Sequence, residues 1–196
     1  MNIIVAMCKN RGIGKNGTIP WVLKEDMRFF KNKTIGKGNN AVIMGRKTYD
    51  SINTKLPKRD NYIISSTKSN NINKDGVFFY DNIATATYDT VTKKNPYDSV
   101  WIIGGEQIYK WYLDQNLIRD VYITNINLDI DCDIYFPKLS NKFVKLHSGY
   151  KIMSKEHKIL YNIDIYRNKT YDYKTSSNYD SDLIKKLDLI DKYGII

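Results

Sequence analysis

Residues 99–113 read SVWIIGGEQIYKWYL, a β-branched apolar run that ends in Gly104-Gly105 and passes directly into a helical pattern. A strand that turns straight into a helix is the repeating unit of α/β proteins, because the helix packs back onto the sheet. The turn leaves backbone N–H groups free at the start of the helix, at the carboxyl edge of the sheet. Such an edge is where anionic ligands bind.

A second stretch, AVIMGRKTYDSI (41–52), repeats this arrangement. Its apolar strand reaches Gly45, and Arg46, Lys47 and Thr48 open a short helix. Each turn taken alone is also typical of an ordinary strand-to-helix connection that binds no ligand. Two such turns and a glycine-rich loop in one small domain favour a cofactor that carries phosphate groups.

The pattern on both sides of these turns predicts a single α/β domain over residues 1–167, with a central, mostly parallel sheet flanked by helices. The last two strands have no helix between them, which predicts an antiparallel C-terminal edge. Predicted strands are 3–7, 40–44, 61–65, 76–79, 99–103, 120–126, 143–147 and 159–166, and predicted helices are 23–33, 46–52, 82–93 and 106–115. Residues 168–196 form a polar linker followed by a short helical pattern of unknown role, with five lysines, five aspartates and no net charge.

Composition excludes several classes of protein. No apolar run reaches the roughly 18 residues of a membrane span, and two cysteines, Cys8 and Cys132, cannot form a disulfide scaffold. A reducing, cytoplasmic location and no membrane partner are therefore expected. The formal charge of +10 invites a nucleic-acid partner. However, the basic residues are scattered, and 25 lysines against 6 arginines, together with many Ile and Asn, reflect A/T-rich codons.

Gly12-Ile-Gly14-Lys-Asn-Gly17 matches the G-x-G-x-x-G pattern of dinucleotide-binding folds but lacks the helix that the mechanism requires. Pro20 and the residue before it favour extended chain instead. We therefore predict a long loop over residues 9–20. It is either a plain surface loop or a mobile lid.

One acid lies on an apolar helix face: Leu23, Asp26, Met27 and Phe30 share one side of the predicted helix. Burial of a carboxylate is costly unless it is paired. Either Asp26 bonds a backbone group or a neighbouring basic residue such as Lys24 or Arg28, or it lies at the floor of an apolar pocket. In a pocket it would grip N–H groups of a flat ligand.

Together these motifs resemble those of the dihydrofolate reductase family over about residues 3–167. The resemblance is specific because many motifs occur in the family's order and spacing. They are Ile4-Val5-Ala6, GIGKNGTIPW (12–21), KEDMRFFK (24–31), MGRKTYDSI (44–52), LPKRDNYIISS (56–66), VWIIGGEQIY (100–109), VYITNI (121–126) and DCDIYFP (131–137).

On the substrate side, the resemblance implies that Asp26 is the sole active-site acid and that Thr124 supports it. Trp21 would close the lid loop, and Arg59 would bind the carboxylate of the glutamate tail, where a lysine could not form the same fork. The implied walls of the substrate pocket are Ile4, Val5, Met27, Phe30, Ile52, Leu56, Ile103 and Tyr109.

On the cofactor side, the resemblance implies NADPH and no metal. Arg46, Lys47, Ser65 and Ser66 match the pocket for the 2′-phosphate, and the family has a cis peptide at the Gly104–Gly105 position. The remaining implied cofactor contacts are Ala6, Ile13, Gly14, Gly17, Gly45, Thr48, Gly104, Gly105, Glu106, Gln107, Ile108 and Tyr109. A glutamate at 106 is unusual so near phosphate groups.

The implied reaction is hydride transfer from NADPH to 7,8-dihydrofolate, with a water as proton carrier, for one-carbon and nucleotide metabolism. The alternatives are a related reductase of riboflavin synthesis and a basic, nucleic-acid-binding module on a degenerate scaffold. Asp26 and Arg59 argue against the first. We expect a monomer without a nucleic-acid partner, and residues 168–196 are the candidate segment for contacting a protein partner.

Overall fold

The computed structural model describes residues 1–67 and 75–171, and the tail pattern predicted beyond 171 lies outside them. The predicted α/β architecture is confirmed. The helices are α1 (Lys24–Ile35), α2 (Arg46–Ile52), α3 (Ile83–Thr92) and α4 (Glu106–Asp114). The strands are β1 (Asn2–Cys8), β2 (Gly12–Gly14), β3 (Asn40–Gly45), β4 (Asp60–Ile64), β5 (Val77–Tyr80), β6 (Ser99–Gly104), β7 (Asp120–Ile126), β8 (Ile134–Tyr135), β9 (Phe143–Ser148), β10 (Ile152–Met153) and β11 (Leu160–Asn168).

Nine of these strands form one sheet in the order β10-β11-β7-β1-β6-β3-β4-β5, with β9 also paired to β11. The pairs from β7 through β1 to β5 are parallel, whereas β11 runs antiparallel to β7, β9 and β10. The antiparallel edge predicted from the last two long strands is therefore confirmed. Because β6 lies between β1 and β3, the carboxyl ends of these three strands meet in one place, where ligands bind in open α/β sheets.

The central strands are buried on both faces, which explains their nearly continuous apolar sequences. Ile3 and Val5 of β1 pack in the core that includes Ile108 and Tyr112 of α4, whereas Ile4 packs in the opposite core with Phe30 of α1. Successive side chains of a strand point to opposite faces, so each central strand contributes to both cores. In the described ranges, no helix is long and apolar enough to cross a membrane.

Three short strands, β2, β8 and β10, were not predicted, and β2 changes the picture of the 9–20 loop. Gly12 pairs with Tyr135 and Gly14 with Ile134, so the start of this loop is a two-stranded ribbon. Strands of two or three residues carry no readable alternation. The partner of β2 is also about 120 residues away in the chain.

The next part of the loop is a tight hairpin. Lys15 and Thr18 exchange backbone hydrogen bonds of 2.9 and 3.0 Å around Asn16-Gly17, whose φ angles are 50° and 75°. Two positive φ angles define the turn that Asn-Gly favours, because glycine has no Cβ and asparagine tolerates the left-handed region. No helix follows Gly17 before α1, so the dinucleotide-fold interpretation of the glycine pattern is correctly rejected.

A buried ion pair joins the two halves of the sheet at β7 and β11. Asp120 is 1% exposed and accepts hydrogen bonds from Arg167 Nε (2.7 Å) and Nη2 (3.1 Å) and from Arg119 Nε (2.9 Å). Arg167 lies directly opposite Asp120 in the strand register. The pair therefore ties the antiparallel edge to the parallel part of the sheet.

We predict that Asp120→Asn lowers the free energy of unfolding by about 1–3 kcal/mol, since a buried group loses charge-assisted hydrogen bonds. The matched control is Asp114→Asn, which removes an exposed i,i+4 pair with Lys110 and should cost only about 0.3–0.5 kcal/mol. Urea unfolding of both variants gives the comparison. Equal losses would contradict a special role for the buried pair.

Candidate active site

Asp26 lies in the first turn of α1, where helix N–H groups favour a negative charge. Burial nevertheless raises the pKa of the Asp26 carboxyl, and the Thr124 hydroxyl offsets part of that rise. No basic side chain of the described fold pairs with Asp26, and Lys24 instead binds Glu156 at 2.7 Å. Of the alternatives left open for Asp26, the ion pair with Lys24 or Arg28 is therefore not formed, and no cation of the described residues neutralises the Asp26 carboxyl.

Thr124 comes from β7 and lies beside Ala6 of β1 in the strand register. Its hydroxyl oxygen is buried and forms no hydrogen bond of ordinary length and angle with any described residue, although it is close enough to act on Asp26. Buried polar groups in proteins are nearly always paired. A buried hydroxyl without a full partner beside an uncompensated acid marks a place where a ligand's polar atoms fit.

Tyr109 of α4 lies close to the same acid. Its phenol donates a 3.0 Å hydrogen bond to the Ile4 carbonyl oxygen, and burial together with the Asp26 charge raises the pKa of Tyr109 well above its usual range. The contact fixes the start of α4 against β1. It therefore holds the Gly104 turn close to Asp26 at the carboxyl edge of the sheet, although α1 and α4 cover opposite faces.

The Gly104–Gly105 peptide is cis, as the family resemblance implied. Gly104 has a φ of 113° and lies so close to Tyr109 that an added Cβ would be 3.1 Å from the ring. A side chain at 104 would therefore be strained and crowded. The glycine at position 104 is explained by this turn.

The two predicted strand-to-helix turns lie next to each other. Met44 pairs with Gly104 in the sheet, and an added Cβ on Gly105 would be 3.5 Å from Thr48 Oγ1. Both α2 and α4 begin at a glycine without a side-chain cap from any described residue. The free N–H groups of two helices are thus available at one edge of the sheet, as anion binding requires.

Basic and hydroxyl side chains surround these turns. Arg46 is half-buried, holds Asp50 at 2.6 Å and lies 5.8 Å over the Phe79 ring, while Lys47 is exposed. Ser65 is buried and Ser66 exposed just after β4. Glu106 and Gln107 are exposed, and Ile108 is a core residue that supports the turn.

Arg59 is a buried guanidinium, 8% exposed. It donates to the Pro57 carbonyl (3.1 Å) and to the Thr34 hydroxyl, and lies 5.9 Å over the Phe30 ring. Within residues 1–67 and 75–171 no carboxylate pairs with it, and burial lowers the pKa of Arg59. A cavity of about 390 Å³ borders it, and its other charged lining residues are Lys55, Lys58, Asp60 and Asp75. Because a desolvated cation is costly unless paired, Arg59 suits an anionic group of a ligand.

The predicted apolar walls are brought together in part. Ile4, Phe30, Ile52, Leu56 and Ile103 share one cluster. Val5 packs in the opposite core, because neighbouring strand residues point to opposite faces. Met27 is 64% exposed, so the helix stripe around Asp26 is not buried along its whole length. Trp21 packs instead against a third cluster, formed by Leu23, Ile126, Ile159 and Tyr161.

Sequence reasoning missed how the 9–20 loop is anchored. Lys9 pairs with Asp129 (2.7 Å) and Lys15 with Asp131 (3.3 Å), and the Asn16 N–H donates to Asp133 (2.8 Å). The readable signal was the alternation of aspartates at 129, 131 and 133 opposite a basic loop. Ile13, Gly14 and Gly17, which were predicted to contact the cofactor, lie in this anchored segment.

Asp26→Asn should stabilise the ligand-free protein at neutral pH. A pKa that is higher in the folded than in the unfolded state means that ionisation of Asp26 costs stability as the pH rises through the folded pKa. The free energy of unfolding of Asp26→Asn should thus exceed that of the unchanged protein at pH 7, by a margin that shrinks towards pH 4. Urea unfolding over this range measures the difference. The exposed variant Asp98→Asn serves as control, and a gap that is independent of pH would contradict the assignment.

Comparison with known proteins points to one family. The sequence model of the family described as "Dihydrofolate reductase" matches residues 1–168. The dihydrofolate reductase of Drosophila melanogaster is 34% identical over 149 residues, which cover 72% of this chain and 81% of that protein. The Schistosoma mansoni enzyme is 40% identical over 147 residues, 71% of this chain and 78% of that protein. The Haemophilus influenzae enzyme is 36% identical over 139 residues, which cover 71% of this chain and 79% of that protein.

Proposed function

Because this chain belongs to the dihydrofolate reductase family and is a dihydrofolate reductase, we propose that NADPH is its hydride donor and that Asp26, Thr124 and Arg59 hold the substrate. The observation that carries the proposal is the uncompensated Asp26 carboxyl beside the buried Thr124 hydroxyl. The riboflavin-pathway reductase and the nucleic-acid-binding module are set aside, because the relatives that match are dihydrofolate reductases.

Asp26 has the chemistry to hold the pterin ring of dihydrofolate. A carboxylate accepts two N–H donors side by side, which suits the 2-amino group and the adjacent ring nitrogen. The Thr124 hydroxyl has unused hydrogen-bonding capacity, and we assign it a hydrogen bond to the same amino group. The two groups together orient the ring within the apolar cluster of Ile4, Phe30 and Ile103.

The raised pKa of Asp26 bears on the proton that the reaction consumes. Burial favours the neutral carboxyl, so Asp26 keeps a proton to a higher pH than an exposed aspartate does. The proton itself reaches the pterin nitrogen through a water molecule, and Asp26 biases the bound ring towards accepting it. Turnover is therefore expected to fall as the pH rises above the pKa of this group.

The cofactor side fits a dinucleotide with an extra phosphate. The uncapped starts of α2 and α4 can offer N–H groups to phosphate oxygens, and Arg46, Lys47 and Ser65 beside them are the groups that we assign to the 2′-phosphate. When bound, NADPH supplies the hydride. The hydrogen bond from Tyr109 to Ile4 and the contact between Tyr109 and Gly104 hold the start of α4 against β1.

Arg59 supplies the anchor for the far end of the substrate. Its guanidinium is held by Pro57 and Thr34 and lacks a carboxylate partner among the described residues. A planar guanidinium can bind a carboxylate through two parallel hydrogen bonds. The α-carboxylate of the glutamate tail is the group that we assign to it.

The cytoplasmic location, the monomeric state and the lack of a nucleic-acid partner stay predictions. The low number of cysteines, too few for a disulfide scaffold, is the sequence observation behind the expected reducing compartment. The direct test of the function is the absorbance of NADPH followed with and without dihydrofolate. Loss of absorbance that requires dihydrofolate is expected, and its absence would overturn the proposal.

Asp26→Asn should reduce turnover near neutral pH by roughly 10²-fold or more, since the amide cannot accept two N–H donors or take part in protonation. The fold and the affinity for NADPH should be retained, which fluorescence titration checks. The exposed variant Asp98→Asn should turn over like the unchanged protein. Near-normal turnover by Asp26→Asn would refute the role of the acid.

Arg46→Gln should raise the KM for NADPH by about tenfold or more and change the KM for NADH little, because a charge-assisted hydrogen bond to phosphate is worth about 1.5–3 kcal/mol. The ratio of kcat/KM for the two cofactors measures this. The matched control is Arg119→Gln, which lies near Asp120, away from the turns. An unchanged ratio in Arg46→Gln would place the 2′-phosphate elsewhere.

A further inference from the structure

Two cysteines that are far apart in sequence meet beneath the 9–20 loop. Cys8 ends β1 and Cys132 precedes β8, and their Sγ atoms are 3.8 Å apart. Both thiols are free and buried, with exposures of 2% and 6%. Nothing in the reductase reaction proposed above uses either sulfur.

The thiol pair is packed directly against the strand that starts the loop. An added Cβ on Gly12 would lie 2.4 Å from Cys132 Sγ and 2.9 Å from Cys8 Sγ, so Gly12 leaves no space between the strand and the sulfurs. Gly12 belongs to β2, which pairs with β8 just after Cys132. A change in the distance between the two sulfurs is therefore transmitted to the loop that contains Ile13, Gly14 and Gly17.

The surroundings of the resting pair favour the thiol form of Cys132 and restrict access to both sulfurs. The Cys8 thiol donates to Asn10 Oδ1 at 2.9 Å, and burial and the neighbouring sulfur raise the pKa of Cys132. Thiolates, not thiols, are the reacting species, and burial excludes large reagents. A small oxidant that reaches the pair when the loop opens is the kind of reagent that this geometry admits.

We propose that Cys8 and Cys132 form an oxidation site, at which hydrogen peroxide produces an intramolecular disulfide that slows the enzyme by restraining the 9–20 loop. One thiolate attacks a peroxide oxygen, the O–O bond breaks, and a sulfenic acid and hydroxide form. The second sulfur attacks the sulfenic sulfur, so that the S–S bond forms and the S–O bond breaks. The pair loses two electrons and two protons, and the peroxide becomes two water molecules.

The geometry requires only a local movement. The sulfurs must approach from 3.8 Å to the ~2.05 Å of a disulfide, a change of roughly 1.7 Å. This shift draws the segment before β8 towards the end of β1 and presses on β2 through Gly12. Because catalysis depends on ring alignment within fractions of an ångström, we expect the disulfide form to turn over at least about threefold more slowly.

The test treats the reduced full chain with hydrogen peroxide and follows the intact mass, the number of free thiols and NADPH oxidation with dihydrofolate. We expect a mass lower by two hydrogen atoms, a peptide that links Cys8 to Cys132, and slower turnover that dithiothreitol restores. Only the turnover measurement in this test rests on the proposed reductase function; the mass and the thiol count do not. A reduced protein without dihydrofolate-dependent turnover would refute the proposed function, while the mass and thiol count would still judge the oxidation site.

Cys8→Ser and Cys132→Ser are the matched controls, since neither can close the disulfide and each keeps a small polar side chain. Both variants should keep their turnover in peroxide, apart from losses that dithiothreitol does not restore, such as methionine oxidation. Two free thiols that persist in the folded chain, while the urea-unfolded chain oxidises, would overturn the site. A disulfide without any effect on turnover, or equal and reversible losses in the serine variants, would overturn the link to the loop.

Discussion

The position of β1 between β6 and β7 is the constraint on which the site depends. All seven residues of β1 are in register with β7, which places Thr124 beside Ala6, and β6 brings the Gly104 turn to the other side. The phenol of Tyr109 on α4 then donates a hydrogen bond to the Ile4 carbonyl oxygen of β1. A slip of one residue would exchange the two faces of β1 and would separate Ala6 from Thr124.

The site holds two charges that the protein does not neutralise itself. Asp26 has no cation and Arg59 has no carboxylate among the described residues, although each is substantially buried. Elsewhere the fold pairs its buried acids, as Asp120 with Arg167 and Asp164 with Lys145 show. The contrast supports the proposal that these two groups bind a ligand, which would offset the cost of their desolvation.

Sequence patterns predicted the long elements and both glycine turns, because central strands are continuous apolar runs and each turn passes directly into a helix. From the residues alone, Asp26 was the one site side chain that could be singled out, and the other roles came from the family resemblance. What could not be predicted depends on distant contacts: the pairing of β2 with β8 and the meeting of Cys8 and Cys132. The resemblance assigned Val5 and Ile4 to one wall, although the alternation of strand residues already places them on opposite faces. The Asn-Gly dipeptide at 16–17 could have predicted the tight turn, but the surrounding glycine pattern was interpreted only as a possible phosphate-binding loop.

The attachment of the 9–20 loop has a consequence for the medium in which the enzyme works. Two of its anchors are exposed ion pairs, Lys9 with Asp129 and Lys15 with Asp131. Dissolved ions screen such pairs over about 8 Å at physiological ionic strength, whereas the ribbon of β2 and β8 is held by backbone hydrogen bonds that screening affects little. Salt therefore weakens the attachments of Lys9 and Lys15 before it affects the ribbon between them, which makes ionic strength a control on how firmly the loop is held.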